Sequence, residues 1–208
     1  ILKSKTLLIL LFLITSHTLL ISQTILTNDT FESGDSTWSL EDENATILDV
    51  SEITNLLGSA SYSCSNTLDA NIIKLISEGS TTSAIYNFSN YNSIIIEYDY
   101  FVEGLNTDEN WYVELSSDNG DTWSILKEYI NGIDFENGNC GPNGFGYKET
   151  VTLSSNNFIF NNNNKLRLRI DANESEDYLF IDNIKISGNT AQKNTWLGYN
   201  FNSINDHT

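Results

Sequence analysis

The sequence predicts an all-β fold, an antiparallel two-sheet jelly-roll sandwich, on three observations. Short apolar runs alternate with a period of two, polar turn clusters separate them, and no segment beyond residue 22 sustains a helical period with caps. Successive strands without intervening helices pack as sandwiches or jelly rolls, because each sheet must bury its apolar face against another.

The first element along the chain is not part of that fold. Lys3 and Lys5 form a short basic region, Leu7 to Ile14 an apolar one, and the chain turns more polar towards Gln23. This is the layout of a secretory signal peptide, and the apolar run is too short for a membrane span. Residues 1–22 are therefore expected to be a leader cleaved near Ser22. The expected product is secreted or displayed at the cell surface and is not inserted in the membrane. The chain opens on Ile, so further residues are expected upstream.

The domain proper is expected over 23–188, long enough to bury a full core. Its clearest strands are Ile72–Ser77, Ser93–Val102, Trp111–Ser117, Trp123–Tyr129, Lys165–Asp171 and Tyr178–Ser187. Leu166-Arg167-Leu168-Arg169-Ile170 alternates without a break. After Gly188 the alternation stops. Residues 189–208 read as a linker or as the start of a truncated second module, with further domains expected downstream.

Composition excludes some partners. The chain is 18% charged and 12% aromatic, has one proline, and carries a formal net charge of −18. The two lysines of residues 1–22 have no acid beside them, so the exported portion is more negative still. Such a field disfavours nucleic acid and anionic membranes, which require clustered Lys or Arg. It favours divalent cations, since oxygen ligands abound. His17 and His207 are the only histidines, both outside 23–188, which excludes Ser–His–Asp and Cys–His machinery and His-based zinc sites from the domain.

Cys64 and Cys140 are the only cysteines. Export permits a bond between them, worth about 4 kcal/mol across so long a loop, and two unpaired thiols are the alternative.

Two motifs carry chemistry. Ser116-Ser117-Asp118-Asn119-Gly120-Asp121-Thr122-Trp123 matches the Asp-box pattern, with Ser116, Asp118, Gly120, Thr122 and Trp123 at its fixed positions. Physically it is a hairpin turn: Asp118 bonds amides within the loop, Gly120 tolerates positive φ, and Trp123 is expected to bury its ring at the base of the next strand. Sialidases resemble this motif but carry several copies, and here there is one. The second motif is Glu97-Tyr98-Asp99-Tyr100-Phe101-Val102-Glu103, which puts Glu97, Asp99, Phe101 and Glu103 on one face, opposite Ile94, Ile96, Tyr98 and Tyr100. Paired carboxylates serve retaining glycosidases at about 5 Å separation. Laminarinase-like jelly rolls are similar, but they use Glu-x-Asp-x-Glu or one residue more. Here three residues separate Asp99 from Glu103, so an acidic, solvent-facing strand is the expectation.

Asp29-Thr30-Phe31-Glu32-Ser33-Gly34-Asp35-Ser36-Thr37-Trp38 opens the domain, and Asp177-Tyr178-Leu179-Phe180-Ile181-Asp182-Asn183-Ile184-Lys185-Ile186 closes it. Together with the central hairpin they resemble MAM-like, concanavalin-type jelly-roll domains of secreted bacterial proteins. Those open on Phe-Glu-x-Gly and close on Ile-Asp-Asp-Val/Ile-x-Ile, so Asn183 departs from the pattern. The resemblance implies adjacent first and last strands that bring Glu32 and Asp182 together. Converging carboxylates suit Ca2+, with its roughly six to eight oxygens. A structural calcium on Glu32 and Asp182, with Asp69 as a further ligand, is the expectation.

Tyr112, Glu114, Arg167, Arg169, Glu97 and Asp99 alternate away from the expected core and are the candidate ligand face, since aromatic and polar side chains together suit sugar rings. Three functions follow: a non-catalytic binding or adhesion module for a glycan or an extracellular surface protein, a structural spacer in a larger secreted protein, and a carboxylate-dependent glycosidase or lyase.

Overall fold

Strands and a single short helix make up the regular structure in the computed structural model, which describes residues 21–32, 36–57, 71–141 and 146–191. In chain order they are β1 (Ile21–Asp29), β2 (Trp38–Leu40), β3 (Ala45–Asp49), α1 (Val50–Leu57), β4 (Asn71–Ile76), β5 (Ser80–Ser83), β6 (Ser93–Glu103), β7 (Asn110–Ser116), β8 (Ser124–Ile130), β9 (Tyr147–Ser154), β10 (Lys165–Asp171) and β11 (Tyr178–Ala191). Gln23–Thr190 is the compact unit described below. The expected leader and tail lie outside the described residues, apart from 21, 22 and 189–191. No helix among the described residues is long and apolar enough to cross a membrane.

Two sheets form the sandwich. The first runs β3-β4-β11-β6-β9, with β1 also pairing β11, and the second runs β2-β5-β10-β7-β8. The opening strand thus lies beside the closing one, as the resemblance implies. The six expected strands all form, within a residue or so except at the C-terminal end of β11, which runs on to Ala191.

Alternation sorts the side chains. Ile94, Ile96, Tyr98, Tyr100 and Val102 point inward from β6 and meet Trp111, Val113, Leu115, Leu166, Leu168 and Ile170 of the second sheet. The middle of this core is aromatic: Trp111 stacks on Tyr129 at 3.9 Å, and Tyr100 meets Trp111 edge-on at 4.7 Å. The Tyr98 and Tyr129 hydroxyls bond each other, and burial drives both phenols far above the usual tyrosine range.

In β11, Leu179 and Ile181 point into the core, and so do Ile184 and Ile186. A strict period of two forbids that, and a bulge between Asp182 and Lys185 resolves it. Asn183 takes up the extra residue at φ 53°, a left-handed conformation that Asn adopts more readily than most residues. The Asn that departs from the closing motif therefore sits where the backbone needs one.

The helix corrects the expectation that no helical segment exists beyond residue 22. Asp49 accepts from the amide and hydroxyl of Ser51 at 2.8 and 2.6 Å, capping α1, and Glu52 sits favourably in its first turn. Ile53 packs with Ile72, Phe101 and Phe180, flanked by Val50 and Leu57. Eight residues are too few for a helical period to stand out in the sequence. The expectation of a solvent-facing acidic strand is also corrected: Phe101 is fully buried beneath α1, and Asp99, bonded by Lys148 and Asn183, is only 4% exposed.

Candidate functional site

On β10 the inward set is Leu166, Leu168 and Ile170, so Lys165, Arg167, Arg169 and Asp171 point outward. On β7 the outward set is Asn110, Tyr112, Glu114 and Ser116. Strand register then decides which of them meet. Arg167 lies between Glu114 and Thr82, and Arg169 between Tyr112 and Ser80. Beyond β7, Tyr112 lies opposite Glu128 and Glu114 opposite Ile125. Two rows of side chains cross the sheet, about 7 Å apart along the strands.

Glu114 is the centre of this lattice. It is 4% exposed, and its Oε2 accepts from Arg167 Nε at 2.5 Å with Arg169 Nε at 3.7 Å. Arg169 Nη1 also reaches Asp171 Oδ2 at 3.2 Å. Each guanidinium lies over a ring, Arg167 over Trp123 and Arg169 over Tyr112, both 4.4 Å from the ring centre. Glu128 Oε1 accepts from Asn110 Nδ2 at 2.8 Å and from the Tyr112 hydroxyl at 3.3 Å. Flat groups held on rings and tied to one buried carboxylate are ordered before any ligand arrives.

The β7–β8 hairpin borders this face. Ser116 Oγ donates to Asp118 Oδ1 at 2.7 Å and accepts from the Gly120 amide at 2.8 Å. Asp118 accepts from the Thr122 hydroxyl at 2.5 Å and its amide at 2.9 Å. Bonds from Thr122 and then Ser116 hold Asp118 down at about 2. Gly120 has φ 102°, which a side chain would strain. The expected burial of Trp123 at the strand base is corrected. It immediately precedes β8, an edge strand, and lies half-buried on the outer face under Arg167.

The candidate ligand face divides. Tyr112, Glu114, Arg167 and Arg169 come together, whereas Glu97 and Asp99 lie on the first sheet, because β6 pairs with β9 and β11 and not with β7. There Asp99 accepts from Lys148 Nζ at 2.6 Å and from Asn183 Nδ2 at 3.1 Å, and Glu97 from Lys185 Nζ at 2.7 Å. These groups border a cleft of about 590 Å3.

Of the expected metal ligands, Asp182 is fully buried and accepts from the Asn183 amide at 2.6 Å. Glu32 is exposed and accepts from the amide of Asn71, two residues before Ile73, which pairs with Ile181. Among the described residues no three His, Cys, Asp or Glu side chains gather to hold an ion. Two carboxylates are a partial set for calcium, which backbone carbonyls and water would have to complete. Asp69 lies outside the described residues. Cys140 is disulfide-bonded, and Cys64, the other cysteine, also lies outside them.

Asp29 went unnoticed as a structural residue. It is buried and accepts from the Phe31 amide at 3.0 Å, the Ser36 hydroxyl at 2.9 Å and the Thr37 amide at 2.8 Å. Lys165, Thr82 and Glu128 were also missed on the site face. Lys165 continues the Arg167–Arg169 alternation and was findable, while Thr82 sits in a strand without an apolar signal.

No family model matches the chain, and no curated protein matches it. Among solved structures it is similar to the C-terminal family 22 carbohydrate-binding module of Clostridium thermocellum Xyn10B, at 10% identity over 81% of this chain and 94% of that one, TM-score 0.47. It is also similar to the K3 adhesin domain of Lys-gingipain from Porphyromonas gingivalis, at 12% identity over 80% and 99%, TM-score 0.46. A third likeness is to the N-terminal Clostridium thermocellum Xyn10B structure with xylohexaose, at 13% identity over 81% of this chain but 29% of that one, TM-score 0.46.

Proposed function

We propose that this domain is a non-catalytic, glycan-binding adhesion module of a secreted protein, and that the outer face of the second sheet binds the sugar. The observation that carries this is the lattice around Glu114. Arg167, Arg169, Glu128 and Asn110 offer donors and acceptors in fixed directions beside aromatic carbon, which suits vicinal hydroxyls on a sugar ring. Carboxylate catalysis is disfavoured at Glu97 and Asp99, since each is held in an ion pair by a lysine. The leader-like residues 1–22 support export.

Isothermal titration of the protein against a panel of soluble polysaccharides tests the proposal. At least one should bind in the micromolar to millimolar range, and Arg169→Ala should weaken that binding at least tenfold without altering the fold by circular dichroism. Silence across the whole panel would leave the spacer role, and release of reducing sugar would reinstate a glycosidase. A structural calcium on Glu32 and Asp182 belongs to the same proposal as a stabiliser of the domain, with no part in sugar contact.

A further inference from the structure

Beside the Arg167 end of that face lies a cleft of about 320 Å3, bordered by Lys165, Arg167, Trp123, Thr82, Glu41 and the hairpin tip at Gly120. Its charge runs against that of the chain. The sequence has 10 Lys and Arg against 28 Asp and Glu, yet here two cations meet one acid. The cleft by Asp99 has two lysines against Glu97, Asp99 and Glu149, and another, by Phe135, has Asp134 and Glu136 with no cation.

Both cations have unused capacity. Lys165 makes no ion pair among the described residues, and Arg167 commits only Nε, to Glu114, leaving its Nη groups without a partner among them. The one acid, Glu41, is engaged by the Thr82 hydroxyl. Gly120 keeps the cleft open. A Cβ there would stand 3.5 Å from the Trp123 ring and 3.8 Å from the Lys165 stem, so a longer side chain would crowd both.

We propose that this cleft is a subsite for the carboxylate of a uronic acid within the glycan, which deepens and rests on the glycan-binding proposal. The two Nη groups of Arg167 form a fork that matches a carboxylate, and Lys165 adds a point charge beside it. The net charge of −18 limits how many such groups the ligand carries. Beyond one Debye length, about 8 Å at physiological salt, a polyanion meets mainly like charge. The ligand is therefore a glycan with isolated uronates, not a continuous polyuronate.

The probes are a glucuronate-bearing gum polysaccharide, the same gum with its carboxyls reduced to alcohols, and polygalacturonate. The native gum should bind at least tenfold tighter than the reduced one. Lys165→Gln should narrow that difference with the melting temperature unchanged, and Arg167→Lys, which keeps charge against Glu114 but loses the fork, should narrow it further. A native-to-reduced ratio unaltered in both variants overturns the uronate subsite. Polygalacturonate should bind more weakly than the gum in low salt, the gap narrowing as salt is added. Equal binding of native and reduced gum, with the reduced gum or other neutral glycans still bound, overturns the uronate subsite alone. No binding of any glycan overturns the glycan-binding proposal with it. Tighter low-salt binding of polygalacturonate than of the gum overturns the restriction to isolated uronates.

Discussion

At the scale of single residues, Asp177 makes stability depend on pH. Asp177 is 2% exposed and Glu109 4% exposed, and they sit where the loops after β6 and β10 meet. Asp177 Oδ2 accepts from the Glu174 amide at 2.9 Å, and Glu109 accepts from the Asn106 and Asn173 amides at 2.7 and 3.0 Å. Burial raises the Asp177 carboxyl above its ordinary value of 3.8, and the charges of Glu109 and Glu174 add to that. A carboxyl raised on folding contributes stability that is complete below the unfolded value and is lost as pH rises through the folded one. Asp177→Asn should therefore match the parent at pH 3 and melt higher at pH 7, by roughly 2–4 °C for each kcal/mol of strain relieved. Thermal melts at both pH values measure this, and equal melting temperatures at pH 7 would refute it. Nothing local in the sequence marks this pair, since 68 positions separate its members. Tyr112, Glu114, Arg167 and Arg169 were legible one by one, because alternation alone puts them opposite the apolar set.

At the scale of elements, α1 covers the part of the first sheet's outer face that carries Ile72, Phe101 and Phe180, and leaves the cleft at Asp99 open beside it. Its hold is Ile53, fully buried against Ile72, Phe101 and Phe180. Ile53→Ala removes buried methyl groups beneath a short helix and should cost about 2–5 kcal/mol. Chemical denaturation should show a lower midpoint with an unchanged slope, whereas a loss under 0.5 kcal/mol would mean that the helix is not anchored there. Glycan binding on the opposite face should survive. Strands rich in Ile, Val and Tyr were legible, and β5 was not. Its Ser80-Thr81-Thr82-Ser83 has no apolar residue, and it is ordered by pairing with β10 and β2. The bulge in β11 shows the same limit: the motif departure at Asn183 was visible, but its backbone meaning needed β6 and β4 on either side.

At the scale of the molecule, β1 and β4 both pair β11, so chain-distant segments meet beside the bulge that holds Asp182. A calcium ion at Glu32 and Asp182 would bind the folded state alone and stabilise it by mass action. Calcium should raise the melting temperature and chelator lower it, with the difference abolished in Asp182→Asn. A melting temperature indifferent to calcium removes the ion from the account. A Glu32→Gln control separates lost charge from lost packing, because Glu32 is exposed while Asp182 is not.

By itself the sequence determined that the domain is built of strands and, where the alternation is unbroken as in β10, which side chains a strand turns to the core. Those properties follow from a two-residue repeat that any short window contains. It also determined the turn at Asp118, whose carboxylate bonds Ser116 and Thr122, at most four positions away. Only the tertiary structure decided that Arg167 and Arg169 would stand over Trp123 and Tyr112, and that Glu97 and Asp99 would be turned away on the other sheet. Neighbour choice in an antiparallel sheet is made between segments dozens of residues apart, by the closing of a shared core, and it leaves no periodic mark on either strand.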